Sequence, residues 1–343
     1  MTSTERYRTF FLKALNVLFM MAATMLGLLF ITFIIGRKMP IDPVIAIVGD
    51  HAPAEVYNRV YKELGLHLSL LEQFWIYLKS VLTGDFGVST RTAQPVLTDI
   101  ATVFPATLEL AILGTIIGTV LGIPAGILAA VKKNSIADQI VRVIGLVGYS
   151  VPIFWLGMMA FMLFYYILGW VGDTGRIDVV YIYTIPTVTG LYLIDTLLAG
   201  DLEAFRNVIS HIILPASLLG YYSLAYISRM TRSFMLNELE QEYIIAARVK
   251  GISESRVIWR HAFRNAAVPM LTVVVLSFGY LLEGSVLTET VFNWNGLGLY
   301  LTSSLLNSDM NALLGSTLVV GLIFVVLNQT SDILYRLLDP RTR

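Results

Sequence analysis

The sequence predicts an all-α integral membrane protein with six transmembrane helices, and three observations predict it. Of its 343 residues, 56% are hydrophobic and only 14% are charged, against roughly 25% charged in average soluble proteins. Mean hydropathy is +0.72. A soluble chain of this length, about two domains, could not hide so much apolar surface from water. Second, six stretches lack Asp, Glu, Lys and Arg over the roughly 20 residues that cross about 30 Å of hydrocarbon: 14–36, 110–131, 143–172, 207–228, 265–282 and 310–331. Third, 16 of the 24 basic residues fall on one side of these stretches when the N-terminus is placed inside, as the positive-inside rule requires.

The first stretch is too long for a signal-peptide apolar core and has no clear small-residue cleavage site after it, so it reads as a retained anchor. The segment 37–106 follows on the outer side. Within it, 53–66 reads as a short amphipathic helix stopped by Gly65, and 83–90 is turn-rich. The second stretch carries Gly114, Gly118, Gly122 and Gly126 at four-residue spacing, which lets another helix approach closely. Pro124 is expected to kink it. The third stretch is aromatic and broken by proline at Tyr149, Pro152, Phe154 and Trp155.

Two further apolar runs are not counted as spans. The run 179–194 is short and interrupted by Pro186 and Gly190. A seventh span there would place the basic cluster between Arg229 and Arg264 outside, so it reads as re-entrant or interfacial. The run 290–308 holds Asn293, Trp294, Asn295, Gly296 and Gly298, which read as loop or re-entrant structure. The layout is therefore a tail and first span over 1–36, an outer segment over 37–106 and a core over 107–343. That core includes outer segments 171–210 and 289–309 and an inner loop 229–268.

The inner loop is the most informative part of the chain. Residues 239–250 are strong helix formers and end at Gly251, a natural position for left-handed backbone. Ser253 can cap a second helix running to about Arg264. Leu239, Tyr243, Ala246 and Ala247 fall near one face. Such a hairpin either lies on anionic lipid or offers its face to a groove on a partner protein.

Several chemistries are excluded. Net charge is zero, giving no hint of a nucleic-acid partner. With no cysteine there is no disulfide, no Cys-bound zinc and no thiol nucleophile. His51, His67, His211 and His261 are scattered. No H-E-x-x-H, G-x-S-x-G or phosphate-loop motif occurs, so no catalytic, metal or ATP site is expected in this chain. Glu109 lies near the outer end of the second span. Glu283 lies deeper, where a carboxylate is costly; it either faces a pathway, is neutral, or pairs with another chain.

At the hairpin the sequence resembles the inner-membrane permease subunits of bacterial binding-protein-dependent ABC importers, most closely the dipeptide and oligopeptide branch. The family's loop pattern is Glu-Ala-Ala, three residues, then Gly. Ala246, Ala247 and Gly251 match it, the glutamate position falls on Ile245, and Glu242-Tyr243 matches the peptide branch. His261-Ala262, Arg264-Asn265 and Pro269 also fit. The likeness continues through Asp42-Pro43, Glu63-Leu64-Gly65-Leu66, Gly84-Asp85-Phe86-Gly87, the five residues from Ala106 to Leu110 and Gly122-Ile123-Pro124. It extends over the run GYSVPIFWLG from Gly148, the six residues from Leu287 to Phe292, Gly296-Leu297-Gly298 and Leu338-Asp339-Pro340-Arg341. Two features depart from the pattern: a longer, more polar N-terminal tail, and a last outer loop without basic residues near Asp309.

The resemblance implies a type I importer permease fold with both termini cytoplasmic, in the bacterial inner membrane. It implies a second homologous permease, two ATP-binding subunits that hold ATP and Mg, and an extracytoplasmic peptide-binding protein. Glu242, Tyr243, Ala246, Ala247 and Gly251 would couple to the ATPase. Glu283, Glu289, Phe292 and Trp155 are candidates for pathway or gate. Permeases for nickel chelates, glutathione or opines are the alternative within the family, and a stand-alone transporter or channel the alternative outside it.

Overall fold

The structure, a computed structural model, describes residues 3–38 and 42–338. The first described helix is α1 (Ser3–Lys38). The segment after it holds α2 (Pro43–Val48), α3 (Ala54–Glu63) and α4 (Leu70–Leu82), followed by α5 (Val96–Val131), α6 (Ile136–Ser150) and α7 (Ile153–Phe161), which continues as a π-turn over Met162–Ile167. Next come α8 (Val179–Ile182), α9 (Tyr192–Ala199), α10 (Leu202–Leu239), α11 (Glu242–Val249) and α12 (Glu254–Arg256). A π-turn over Val257–Ala262 leads into α13 (Phe263–Val291), then α14 (Leu297–Leu306) and α15 (Met310–Leu338). Among the described residues there is no strand, only an isolated bridge between Val88 and Pro95. Asp339, Pro340 and Arg341 of the C-terminal pattern lie outside the described residues.

Among the described residues, five helices are long and apolar enough to cross a membrane. The third expected span differs from the sequence reading. The stretch 143–172 is not one rod, because α6 and α7 meet at a bend of 99°. Pro152 lacks the N–H that would continue the helix, and Val151 before it is extended with ψ 128°, as a residue preceding proline prefers. Counted as one bent span, the pair brings the total to six. The second span stays a single helix with Pro105 and Pro124 inside it.

The described residues fall into two compact units: those up to Thr102 together with Tyr300–Val325, and Val103–Leu299 together with those from Val326 on. In the first unit, Leu29, Leu78 and Leu318 form a buried cluster. Asp42 starts α2 by accepting from the Val44 amide at 2.8 Å, and the Tyr57 hydroxyl donates to its other oxygen at 2.5 Å. Ser69 and Glu72 close a capping box at the start of α4. Gly65 has φ +66°, the left-handed stop expected after α3. Asp309 is buried and accepts from Ser89 at 2.5 Å, while Asp99 accepts from Tyr300 at 2.9 Å.

In the second unit the glycine ladder of α5 lies against α10. A Cβ on Gly114 would stand 2.9 Å from Cβ of Leu219, and one on Gly126 would stand 2.5 Å from the Ser228 carbonyl oxygen. At Gly118 it would overlap the Ser223 side chain. The ladder is thus a packing surface that brings two backbones together. Ser223 in turn shares a buried 2.8 Å hydrogen bond with Ser277 of α13.

Candidate functional site

The elbow between α10 and α13 is built from local signals. α10 stops at Leu239, and Gln241 is extended (ψ 147°) ahead of the eight-residue α11. Its far end closes as a Schellman turn: Gly251 donates to Arg248 O at 2.9 Å and Ile252 to Ala247 O at 3.2 Å. Gly251 has φ +78°, which costs glycine least. Ser253 then takes the N-cap backbone position without a side-chain cap bond. The following helix does not end near Arg264 as the sequence reading has it. It continues through the π-turn into α13, so the elbow runs directly into a membrane span.

The packed face of the elbow also differs from expectation. Ile244 and Ala247 are buried against Ile127, Ala130, Met235, Val257 and Ala262, whereas Tyr243 and Ala246 are exposed. Leu239 packs on the same cluster as Ile244 and Ala247, but the break at Glu240-Gln241 resets the helical phase and leaves Tyr243 and Ala246 outside it. Glu242, Ile245, Ala246 and Val249 point outward, Val249 with 83% exposure. Tyr243 ties the elbow together: its hydroxyl donates to Glu238 at 2.5 Å and accepts from Asn265 at 2.8 Å. Arg248 pairs with Glu254 at 2.8 Å across the turn.

Neighbouring ion pairs fix the base of the elbow. Asp138 is fully buried and bound bidentately by Arg232 at 2.7 and 2.8 Å, and it also accepts from the Asn134 amide at 2.9 Å. Lys133 reaches Glu240 at 3.0 Å. The sequence reading found neither pair, because 94 and 107 residues separate the partners.

A cavity of about 710 Å³ opens between α6, α7, α10 and α13. Tyr149, Tyr222, Tyr226, Tyr280, Arg229 and Glu283 line it. The Arg229 guanidinium sits over the Tyr149 ring at 4.6 Å, an arrangement that holds a cation beside an aromatic wall. Glu283 is the exposed carboxylate of this lining.

The other pathway candidates do not join Glu283. Glu289 is fully buried in the last turns of α13, accepting from Thr107 at 2.7 Å, Ser285 at 2.9 Å and the Leu299 amide at 3.0 Å. Thr107 also accepts from the Leu297 amide at 2.7 Å, and Trp294 donates to Ala106 O at 3.0 Å. A Cβ on Gly296 would lie 2.5 Å from a Glu289 oxygen. Glu289 and Gly296 therefore form one structural knot that seats the start of α14. Phe292 is buried edge-on against Phe161 at 5.8 Å. Trp155 is half-exposed on α7 and does not line the cavity. Glu109, near the outer end of the second span, is buried and paired with Arg176 at 2.9 Å. Among the described residues, no group of three or more His, Asp or Glu is placed to hold a metal ion.

The same chain matches two families of known proteins. Residues 122–343 match the binding-protein-dependent transport system inner membrane component, and residues 10–111 match the N-terminal portion of such membrane components. The chain belongs to this family. It is similar to the dipeptide transport system permease protein of Haemophilus influenzae, with 42% identity over 325 residues, 94% of this chain and 97% of the relative. The di/tripeptide transport system permease protein of Pseudomonas aeruginosa is 40% identical over 321 residues, 93% and 95% of the two chains. A probable D,D-dipeptide permease protein of Escherichia coli is 40% identical over 315 residues, 92% of each chain.

The permease is thus a multi-pass protein of the bacterial inner membrane, and its elbow, cavity and Glu289 knot all lie within the matched residues. An importer of this family works with an ATPase and a binding protein.

Proposed function

We propose that this permease forms one half of a pathway that carries di- or oligopeptides inward, and that its elbow is the lever through which a separate ATPase drives it. The relatives named as dipeptide, di/tripeptide and D,D-dipeptide permeases support a peptide cargo. The observation that carries the lever is the outward face of α11. Glu242, Ile245, Ala246 and Val249 stand free of the bundle, while Ile244 and Ala247 lock the same helix onto it. A short amphipathic helix of this kind fits a groove on a partner. Because α11 and α13 are joined through the Gly251 turn, a push on α11 turns a span that lines the cavity.

In this reading both termini and the loop 229–268 face the cytoplasm, and segments 37–106, 171–210 and 289–309 face outward. The core permease spans 107–343. A second homologous permease completes the pathway, two ATP-binding subunits hold ATP and Mg and hydrolyse the nucleotide, and an extracytoplasmic binding protein delivers the peptide. Glu283 faces the cavity and attracts the peptide amino group. Glu289 and Phe292 act by positioning α14 rather than by touching cargo.

The test is peptide-dependent ATP hydrolysis by the assembled importer in lipid vesicles. Gly251→Val and Glu242→Lys should leave the chain inserted and abolish that hydrolysis. Normal transport by both variants would overturn the lever.

A further inference from the structure

Helix α4 has two unlike faces, and its packing on α1 sets the depth at which they lie. On one side Phe74 meets Phe30 and Phe33 with ring centres 5.3 and 5.5 Å apart, and Tyr77 stacks on Phe33 at 5.8 Å. Leu78 shares a buried cluster with Leu29 and Leu318. Adjoining this packed strip, Leu71, Trp75 and Leu82 are 67%, 66% and 77% exposed. Leu70 and Ile76 are exposed beside them, so five large apolar side chains crowd a helix of 13 residues. Water-facing surface does not concentrate them in this way. Neighbouring α3 shows the contrast: it buries nothing and carries Glu55, Arg59, Lys62 and Glu63.

The apolar span of α1 is Leu18–Arg37. At 1.5 Å per residue, Phe33, Phe30 and Leu29 lie roughly 6–12 Å inside its Arg37 end. A helix that rests on those three side chains is within the thickness of the bilayer, not above it.

We propose that α4 is a membrane-seated helix whose Leu71–Trp75–Leu82 face is covered by lipid at the boundary between headgroups and acyl chains. The surface is continuous with α1, whose Phe30, Ile31 and Ile35 are also exposed. Trp75 belongs at such a boundary because indole is apolar with one polar edge. Lys79 fits the same setting, since its long stem can lie along apolar surface while the ammonium reaches water. The segment between the first two spans is then an anchored platform, with polar α3 in water and α4 in lipid.

The chain contains no cysteine, so one introduced thiol reports one position. Leu71→Cys, Trp75→Cys and Leu82→Cys are spin-labelled in the full importer, with partner subunits made cysteine-free, in vesicles of phosphatidylethanolamine and phosphatidylglycerol. Glu55→Cys on α3 is the water control. The expected result is frequent collision with dissolved oxygen and little with a water-soluble nickel chelate at positions 71, 75 and 82, a ratio several-fold above that at position 55. A nickel-accessible profile matching position 55 would overturn the proposal. So would shielding from both reagents, which would mean that a protein partner covers this face.

Discussion

Removing the cation from the buried Arg176–Glu109 pair should destabilise the permease more than any change on its exposed helix faces. Glu109 is 4% and Arg176 9% exposed, with Nη2 of the arginine 2.9 Å from the carboxylate. Arg176 also donates to Gly190 O at 2.7 Å and lies over the Tyr192 ring at 4.1 Å. The other carboxylate oxygen accepts from the Leu193 amide at 2.9 Å. Arg176→Met leaves that carboxylate buried with one neutral donor, a change that costs about 3–5 kcal/mol. Glu109→Gln keeps an acceptor for Leu193, and the arginine retains Gly190 and the ring, so its cost falls at or below the lower end of that range.

The double variant removes both charges and should be more stable than Arg176→Met alone. The coupling energy should be about 0.5–3 kcal/mol, the range for residues in direct contact. The assay is denaturant unfolding of the detergent-purified permease for the parent, both single variants and the pair. Strictly additive costs, or an Arg176→Met variant within about 0.5 kcal/mol of the parent as for ordinary surface positions, would refute the reasoning.

Other consequences follow from the same geometry. Gly118→Leu forces a side chain into Ser223 and should cost at least the 1–3 kcal/mol of about one overpacked core position; the monodisperse yield in detergent should collapse, while Gly145→Ala, with only a 3.8 Å neighbour, should be tolerated. Glu283→Gln should slow import of peptides with a free amino terminus more than N-acetylated ones, measured as uptake into vesicles; equal slowing of both would contradict a charge role. The Tyr57 hydroxyl holds the Asp42 carboxyl below the usual carboxylate range. That contact therefore stabilises the segment above the ordinary carboxylate pKa and is lost as pH falls through the depressed value. Tyr57→Phe should move acid-induced protease cleavage of α2–α3 to higher pH, and an unchanged profile would count against the contact.

Much of this architecture is legible in the sequence because the bilayer imposes a coarse rule. Charge-free runs mark α1, α5, α10, α13 and α15, and Gly251 marks the elbow turn. What is not legible depends on phase or on distance along the chain. Pro152 announces a break, but its angle of 99° is a matter of packing. The buried side of α11 is hidden in the sequence because Glu240-Gln241 carries helix-forming residues, and a two-residue interruption there rotates every later side chain. Glu289 reads as a loop carboxylate until Thr107, 182 residues away in sequence, is brought beside it. The pairs Asp138–Arg232 and Glu109–Arg176 leave no periodic trace at all.

The measurement that bears most directly on the lever is thiol accessibility at Val249→Cys, the most exposed large apolar side chain of the elbow. A cytosolic elbow seated on a motor predicts no labelling by an impermeant maleimide in intact cells, labelling in inverted vesicles stripped of the ATPase, and protection once the ATPase is restored. Labelling from outside intact cells, or labelling in inverted vesicles that the ATPase does not reduce, would contradict it.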